Sequence, residues 1–180
     1  MRRGAAIAIV AIALGGSGVG AYQLAPSPVE ETAHWREIAW PFPRDGWPAG
    51  RAFRCDGACA GAELYARAKR GFCNCDRGVA DDDEVDRVAD IDLISPRFAA
   101  VAPGQEVGVG EMRGRARRYD LDMPDGVHRI AIGVALARRC DLFVAAAQGR
   151  GKASEMQRAA LVFLETQGMK DWVLAALDGK

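Results

Sequence analysis

Five cysteines are the residues of this sequence whose type and spacing can do chemistry. Paired cysteines of an exported chain form disulfides, and an odd number leaves one thiol over. Cys73 and Cys75 are separated by a single residue, which makes too small a ring for an unstrained bridge between them. We favour bridges from these two to Cys55 and Cys59, with Cys140 buried or competing for a partner, while the sequence leaves the full connectivity open.

The same cysteines support two sharper hypotheses, a metal site and a thiol-redox site. Zinc or copper(I) could be bound by the clustered sulfurs of Cys55, Cys59, Cys73 and Cys75. The spacing of the first pair is typical of structural zinc sites, whereas the second pair is closer than those sites use. A redox-active pair needs a lowered thiol pKa, but Cys73 and Cys75 follow basic residues and precede acidic ones. We therefore expect no cofactor, with zinc or copper as the alternative.

Hydrolytic chemistry has little support in the sequence. The chain has two histidines, His34 and His128, and neither a Gly-x-Ser-x-Gly nor a His-Glu-x-x-His motif. A dyad of His128 with Cys140 would have to form across a predicted hairpin. A histidine that begins a strand is more often solvated, and a thiol on an apolar strand is more often part of the core. We expect a binding protein rather than an enzyme.

Three arginines alternate along a predicted strand and therefore share one of its faces: Arg113, Arg115 and Arg117. Such a stripe can bind phosphate or carboxylate groups, including those of lipid headgroups. The polar, solvated face of a half-buried strand is the commoner explanation. We take the three arginines as candidates for binding an anionic partner.

An acidic run at residues 81–84 raises a calcium hypothesis. The run lacks the alternating acids and the closing glutamate of an EF-hand loop. Carboxylates in the first turn of a helix interact favourably with the helix dipole. We therefore expect these acids to begin a helix rather than to bind a metal.

Residues 1–24 are predicted to direct export. Arg2 and Arg3 precede an apolar core over residues 5–14, and the next charge is Glu30. The core is as long as that of a signal peptide, whereas a spanning helix needs about 20 predominantly apolar residues. Cleavage and retention as a membrane anchor both stay open. The chain is expected either to be anchored in the inner membrane and face the periplasm, or to be periplasmic after cleavage.

Residues 25–49 are predicted to form a linker or strap rich in proline and tryptophan. Prolines remove backbone donors and restrict the residue before them, which prevents long regular structure. Trp40, Phe42 and Trp47 carry more aromatic surface than a solvated spacer needs, so we expect them to lie along the folded domain. Contact with the membrane interface and docking of a partner are the alternatives.

Residues 50–180 are predicted to form one exported α+β domain. Turn residues, apolar runs and, at residues 62–70, a period-two alternation indicate strands at residues 51–55, 62–70, 107–109, 112–120, 128–137 and 140–147. The second of these is expected to bury one face, and the last two to form a central hairpin. Helical spacing indicates one inserted helix over residues 81–94 and C-terminal helices that begin at Ser154 and break at Gly168. The expected fold is an antiparallel or mixed β-sheet covered on one face by the C-terminal helices, preceded by an N-terminal hydrophobic segment.

The charge balance argues against one class of partner. The 180 residues carry 24 basic and 24 acidic side chains. A dedicated nucleic-acid binder normally shows a basic footprint, so we expect no nucleic acid as a partner. The expected partners are the inner membrane, through the N-terminal segment, and a protein.

One stretch resembles a known group of sequences. Gly71-Phe-Cys-Asn-Cys75 and Gly78-Val-Ala-Asp-Asp-Asp-Glu84, after the opening Trp47-Pro-Ala-Gly-Arg-Ala-Phe-Arg-Cys55, resemble a family of uncharacterised bacterial proteins that are membrane-anchored or exported. The resemblance covers residues 35–180 and implies an N-terminal membrane segment but no known activity. We predict a membrane-tethered binding or accessory domain that is stabilised by disulfides. The alternative is a periplasmic protein for thiol redox or for handling zinc or copper.

Overall fold

The computed structural model describes residues 33–57, 59, 61–71 and 75–179, so the predicted export segment at residues 1–24 lies outside them. The described residues contain eight strands: β1 His34–Ile38, β2 Arg51–Asp56, β3 Glu63–Lys69, β4 Phe98–Ala100, β5 Gln105–Val109, β6 Met112–Asp122, β7 His128–Arg138 and β8 Asp141–Gly149. They form one antiparallel sheet in the order β1-β2-β3-β8-β7-β6-β4, and β5 pairs with β6 beside β4. The antiparallel sheet of the expected α+β fold is therefore confirmed.

Two long strands, β7 and β8, form the centre of the sheet, as expected. They pair from Ile130 opposite Gly149 to Arg138 opposite Asp141. Arg139 lies in the turn between them and has a φ of 56°. Both strands are buried on both faces because helices cover the sheet on each side.

Strand β6 is continuous through Gly114. Gly114 lies opposite Leu136 of β7, and a Cβ atom at Gly114 would collide with the carbonyl oxygen of Ala135. The glycine therefore permits a close approach of two strands and does not break one.

The C-terminal helices, α3 Ala153–Leu164 and α4 Gln167–Asp178, cover one face of the sheet. Their apolar residues recur at helical spacing and are buried against the sheet: Met156, Ala160, Leu164, Met169, Val173 and Leu177. Each helix has 12 residues and is therefore roughly 18 Å long, which is enough to reach across several strands. The covered face predicted from the sequence is confirmed.

The boundaries of these two helices differ from the prediction. Lys152, not Ser154, is the N-cap of α3, and its side chain makes no capping hydrogen bond. The helices separate at Thr166, whose hydroxyl donates to the Phe163 carbonyl at 2.7 Å. Gly168 therefore lies inside α4 instead of marking the break.

The opposite face is covered by two short helices, α1 Asp82–Val88 and α2 Ile91–Ile94. They replace the single helix expected over residues 81–94. Asp90 separates them because its φ of 60° is left-handed, and such a backbone cannot continue a right-handed helix. Apolar residues of both helices pack on the sheet: Val85, Val88, Ile91 and Ile94.

The segment before β2 also covers this face. It begins with β1, a strand that the sequence did not predict, which pairs with β2. The rings of Trp40 and Phe42 lie 6.3 and 4.7 Å from the ring of Tyr65, measured between centroids. Trp47 is half-buried, with Lys69 Nζ 5.8 Å from its ring centroid. All three aromatic residues therefore lie along the folded domain, and we call residues 40–47 the strap.

Strand β3 is buried on both faces, whereas one solvated face was expected. Arg67 and Lys69 are 3% and 4% exposed because the strap, α1 and α2 lie over them. Within the described ranges, no helix has the length and apolar character needed to cross a membrane.

Candidate functional site

Four of the five cysteines form two disulfides. Cys55 is bonded to Cys59 in the turn that follows β2, with Cα atoms 6.0 Å apart. Cys75 is bonded to Cys140, with Cα atoms 4.5 Å apart, and this bond ties the loop before α1 to the β7–β8 turn. The favoured pairing of Cys73 and Cys75 with Cys55 and Cys59 is therefore wrong.

The fold explains why Cys55 pairs with Cys59 and why Cys75 pairs with Cys140. The Cys55 N–H donates to the Ala62 carbonyl at 2.8 Å and the Ala62 N–H donates to the Cys59 carbonyl at 3.0 Å, so a tight turn brings Cys55 and Cys59 together. Cys140 was expected to be buried on a strand, but it is exposed in a turn. A cysteine in that position can reach the loop that carries Cys75.

The disulfides bear on the metal and redox hypotheses. Zinc and copper(I) bind thiolates, which a disulfide-bonded cysteine does not have. Among the residues that the structure describes, no three His, Cys, Asp or Glu side chains are grouped to hold a metal ion. The fifth cysteine, Cys73, lies outside the described residues. Cys75 and Cys140 are both exposed, which leaves their disulfide open to attack by an external thiol.

His128 and Cys140 form no dyad because His128 is the first residue of β7 and Cys140 lies beyond the other end of this strand. The strand has 11 residues. A strand of that length separates its ends by roughly 33 Å. His128 Nδ1 instead lies 2.8 Å from Asp122 Oδ1 at an exposed position.

The arginine stripe of β6 is paired with carboxylates of α1. Arg115 Nε lies 3.0 Å from Asp82 Oδ1, and Arg117 Nη1 lies 2.6 Å from Asp86 Oδ2. Arg113 Nη1 donates to two backbone carbonyls at the β5–β6 turn. The three candidates for an anionic partner therefore have partners within their own chain.

The acidic run begins α1 and attaches it to the sheet. Asp81 is the N-cap and accepts a hydrogen bond from the Glu84 N–H at 2.9 Å. Asp82 accepts from the Gly104 N–H at 2.9 Å, and this bond, with Arg115, lowers the pKa of Asp82. The prediction that these acids begin a helix is confirmed, and Asp82 in addition holds the β4–β5 loop.

Arg115 and Arg117 position the β4–β5 loop from the other side. Arg115 Nη2 donates to the Gly104 carbonyl at 2.8 Å, and Arg117 Nε donates to the Ala102 carbonyl at 3.1 Å. The stripe therefore fixes a surface loop. That loop is one wall of an open groove.

The groove, which we call the α3 groove, lies between the β4–β5 loop and helix α3. It contains a cavity of about 430 Å³ lined in part by Ala102, Arg118, Arg158 and Val162. Arg118 and Arg158 are exposed, and neither has an ion pair or a side-chain hydrogen bond to any residue that the structure describes. The strand alternation that buries the stripe beside α1 turns Arg118 to the opposite face.

Exposed apolar side chains lie beside the same arginines. Val162, on α3, is 65% exposed and lines the groove. Val101 is 43% exposed, and its N–H donates to the Arg118 carbonyl at 3.0 Å. These two are the large apolar side chains that the described part of the chain exposes. Positive charge and apolar surface therefore meet at the α3 groove.

A second cluster, which no sequence pattern indicated, lies beneath the strap. Its members, which we call the ion cluster, are Asp45, Arg67, Lys69 and Asp90. Arg67 Nε and Lys69 Nζ each lie 2.6 Å from an oxygen of Asp90. The other side of the Arg67 guanidinium lies 2.7 Å from Asp45 Oδ2. Lys69 Nζ also donates to the Val88 carbonyl at 2.9 Å, so the cluster joins β3, the strap and the end of α1.

Hydrogen bonds stabilise the charged forms of two members of the ion cluster, Asp45 and Arg67. Those from Arg67 lower the pKa of Asp45 to about 2, from 3.8. Burial alone would lower the pKa of Arg67, but its bonds to Asp90 and Asp45 raise it. The Arg67 guanidinium also lies 5.9 Å from the Trp40 ring centroid, a cation–π distance. The ion cluster therefore fastens the strap to the sheet.

Comparison with protein-family models and with curated proteins finds no match to this chain. The resemblance stated for residues 35–180 stays a prediction. The function is therefore argued from the α3 groove, the disulfides and the charges around them.

Proposed function

We propose that this chain is an exported, membrane-tethered binding domain that recognises an acidic segment of a partner protein in the α3 groove. The observation that carries the proposal is that Arg118, Arg158 and the exposed Val162 line one groove. The exposed Val101 is paired with Arg118 through the backbone at its edge. Arg113, Arg115 and Arg117 of β6 have partners within the chain. Arg118 and Arg158 instead offer ten N–H donors in total to a ligand.

The chemistry of the groove suits a peptide with acidic and apolar side chains. Guanidinium groups bind carboxylates through charge-assisted, often bidentate hydrogen bonds. The exposed valines offer apolar contact to neighbouring side chains of the same segment. Gln105 and Gln157, whose amides lie 3.4 Å apart, add polar groups for a peptide backbone. A groove walled by a helix and a loop suits a protruding segment better than the flat surface of a membrane.

Export and tethering are supported by the cysteines and by the N-terminal pattern. Disulfides persist in oxidising compartments such as the periplasm and are rare in the cytosol. Two disulfides stabilise this domain. The predicted export segment at residues 1–24 and the resemblance over residues 35–180 point to the same compartment.

Intact mass measurement tests the compartment. The protein is purified from membrane and periplasmic fractions and alkylated before and after reduction. We expect one alkylated thiol before reduction and five after it, in a membrane fraction whose mass includes residues 1–24. Four or five free thiols in the native protein would contradict an oxidised, exported domain.

Fluorescence anisotropy tests the groove. The probe is a labelled synthetic peptide of alternating glutamate and leucine, titrated with the full chain. We expect binding that weakens as salt is raised, because the arginine–carboxylate contacts are screened. The variant R118E/R158E should bind at least about tenfold more weakly, since charged hydrogen bonds contribute about 1.5–3 kcal/mol each.

The matched control for this experiment is R44E/R70E, which makes the same change in net charge at two exposed arginines outside the groove. It should bind the acidic peptide as the wild type does. Equal binding of a lysine–leucine peptide, or an equal loss in the control variant, would refute recognition in the groove. Displacement of the peptide by anionic vesicles but not by neutral ones would assign the surface to lipid instead.

The exposed Cys75–Cys140 disulfide favours thiol redox as a second candidate function. In that reaction a dithiol partner is the reductant: one partner thiolate attacks Cys75 or Cys140 and releases the other as a thiolate. The second partner thiol then resolves the mixed disulfide, leaving the partner oxidised and both cysteines reduced. A reduction potential above about −300 mV in a glutathione titration would support this role, whereas a lower one would make the disulfide structural. Zinc or copper binding at these sulfurs would require that reduction first.

A further inference from the structure

A polar pocket lies where β7 begins and β8 ends, on the side of the sheet that carries Tyr65. Arg129 stands here beside Gln148, with Arg129 Nη1 donating to Gln148 Oε1 at 3.4 Å. The Nε atom of Arg129 is buried and has no hydrogen-bond partner in the described part of the chain. Because buried polar atoms are nearly always hydrogen-bonded, this guanidinium N–H is a donor for an acceptor that the described residues do not supply.

The polar neighbours of Arg129 are already occupied with one another. Gln148 Nε2 donates to Tyr65 Oη at 3.0 Å and to Glu63 Oε2 at 3.2 Å. Glu63 also accepts from Arg54 at 2.6 Å, so its charge is balanced there. Arg129 forms no ion pair with any described residue. The pocket therefore keeps a positive charge that the protein does not neutralise.

A second guanidinium faces the same space. Arg150 follows the end of β8, is exposed and has no partner among the described residues. Arg129, Gly149 and Arg150 line both a narrow cavity of about 180 Å³ and a wider one of about 480 Å³. Glu63 also lines the narrow cavity, where its carboxylate is paired with Arg54. Asp120 and His128 lie only at the wider cavity.

We propose that Arg129 and Arg150 bind the phosphate group of a phosphate monoester, with the phosphate in the narrow cavity and the rest of the ligand in the wider one. A phosphate monoester carries close to two negative charges at neutral pH, which matches two guanidinium groups. Its oxygens accept the forked N–H donors of arginine, and one of them supplies the missing acceptor for Arg129 Nε. Asp120 at the wider cavity disfavours a second anionic group on the ligand.

Isothermal titration calorimetry with glycerol 3-phosphate tests the site. The full chain is studied in phosphatidylcholine nanodiscs. We expect binding in the wild type and at least about tenfold weaker binding in R150Q, because each lost charged contact has an effect of that size. R129Q should weaken binding as strongly, but Arg129 is partly buried, so the exposed Arg150 carries the test if R129Q does not fold.

The matched control is R44Q/R70Q, which removes two exposed arginines outside both proposed sites and should leave phosphate affinity unchanged. A wild type that shows no binding, an R150Q variant that binds as the wild type does, or a control that loses as much affinity as R150Q would overturn the proposal. The peptide experiment at the α3 groove is independent of this result because the groove shares no lining residue with the two cavities at Arg129.

Nanodiscs that also contain phosphatidic acid identify the source of the phosphate. Competition by phosphatidic acid against glycerol 3-phosphate would support a lipid headgroup as the ligand, and the competition should disappear in R150Q. Unchanged binding of glycerol 3-phosphate in those discs would support a soluble monoester. Both results keep the phosphate at Arg129 and Arg150.

Discussion

The two faces of the sheet are closed by different interactions. Under α3 and α4, the contacts are apolar: Leu164 and Val173 are fully buried, and charged residues stay at the surface. Under α1, α2 and the strap, Arg67 and Lys69 are buried with Asp90 between them. The helices differ correspondingly, with 12 residues each in α3 and α4 but seven and four in α1 and α2.

The difference between the two faces shows how short covering elements are held in place. A 12-residue amphipathic helix buries enough apolar area to dock by the hydrophobic effect. Helices of one or two turns and a proline-rich strap bury less, and here ion pairs and aromatic rings add directional contacts. The apolar face should therefore respond to changes of volume, and the other face to changes of charge.

Removing the central carboxylate of the ion cluster should have the largest effect. Asp90→Asn keeps the shape of the side chain but leaves Arg67 and Lys69 buried without a full counter-charge. We expect a loss of about 3–5 kcal/mol in the free energy of unfolding, as for other broken buried ion pairs. Urea denaturation of the full chain measures it.

The control for this change is Asp92→Asn, an exposed position in α2, the short helix that follows Asp90. It should alter the free energy of unfolding by less than about 0.5 kcal/mol. Equal, small effects of the two substitutions would mean that the ion cluster does not hold the covering elements.

A volume change on the apolar face should cost somewhat less. Leu164→Ala removes a fully buried side chain between α3 and the sheet, and we expect a loss of about 3 kcal/mol from lost burial and the cavity left behind. Val162→Ala, two residues earlier at a position that is 65% exposed, should change stability by less than about 0.5 kcal/mol. Thermal and urea unfolding of both variants test this. A loss at Val162 as large as that at Leu164 would contradict the assignment of the buried face.

The apolar face is also the part of the fold that could be predicted from the sequence. Apolar runs bounded by turn residues indicated β7 and β8, and the helical spacing of Met156, Ala160 and Leu164 indicated the stripe of α3. These signals are local, because each residue's burial follows from its neighbours a few positions away. Strands β1 and β4 were missed since both are short and mostly exposed.

The charged face could not be predicted because its partners are distant in the chain. Arg67 and Lys69 alternate with apolar residues, which is the pattern of solvent-facing residues on a half-buried strand. Their burial depends on Asp45 and Asp90, which are more than 20 positions away in the chain. The cysteine pairing failed for the same reason, since sequence spacing does not reveal that Cys140 lies beside Cys75. Because alternate residues of a strand point to opposite faces, the sequence places Arg118 on the face opposite to Arg113, Arg115 and Arg117. It does not show which of the two faces is covered by helices and which is accessible to a ligand.

The two faces should also differ in their response to acid. The pKa of Asp45 is lowered to about 2 in the folded protein, from 3.8. The unfolded chain therefore binds this proton first as the pH falls, so the stabilisation by Asp45 is complete above pH 3.8 and is lost toward pH 2. Free energies of unfolding measured across this range should fall less steeply for Asp45→Asn than for the wild type. Leu164→Ala should instead give a curve parallel to that of the wild type, because a lost apolar contact binds no proton.

The smallest effect is expected where ion pairs hold α1 on β6 at the edge of the charged face. The side chains of Arg115 and Asp82 are 19% and 24% exposed, so water screens their attraction more than it screens the ion cluster. A double-mutant cycle with Asp82→Asn and Arg115→Gln should give a coupling of about 0.5–1 kcal/mol that decreases at high salt. The cycle is needed because Asp82 also accepts from the Gly104 N–H, and the single substitution loses both contacts. A coupling of zero would mean that Arg115 is not committed to α1, and the β6 stripe would again be open to an anionic partner.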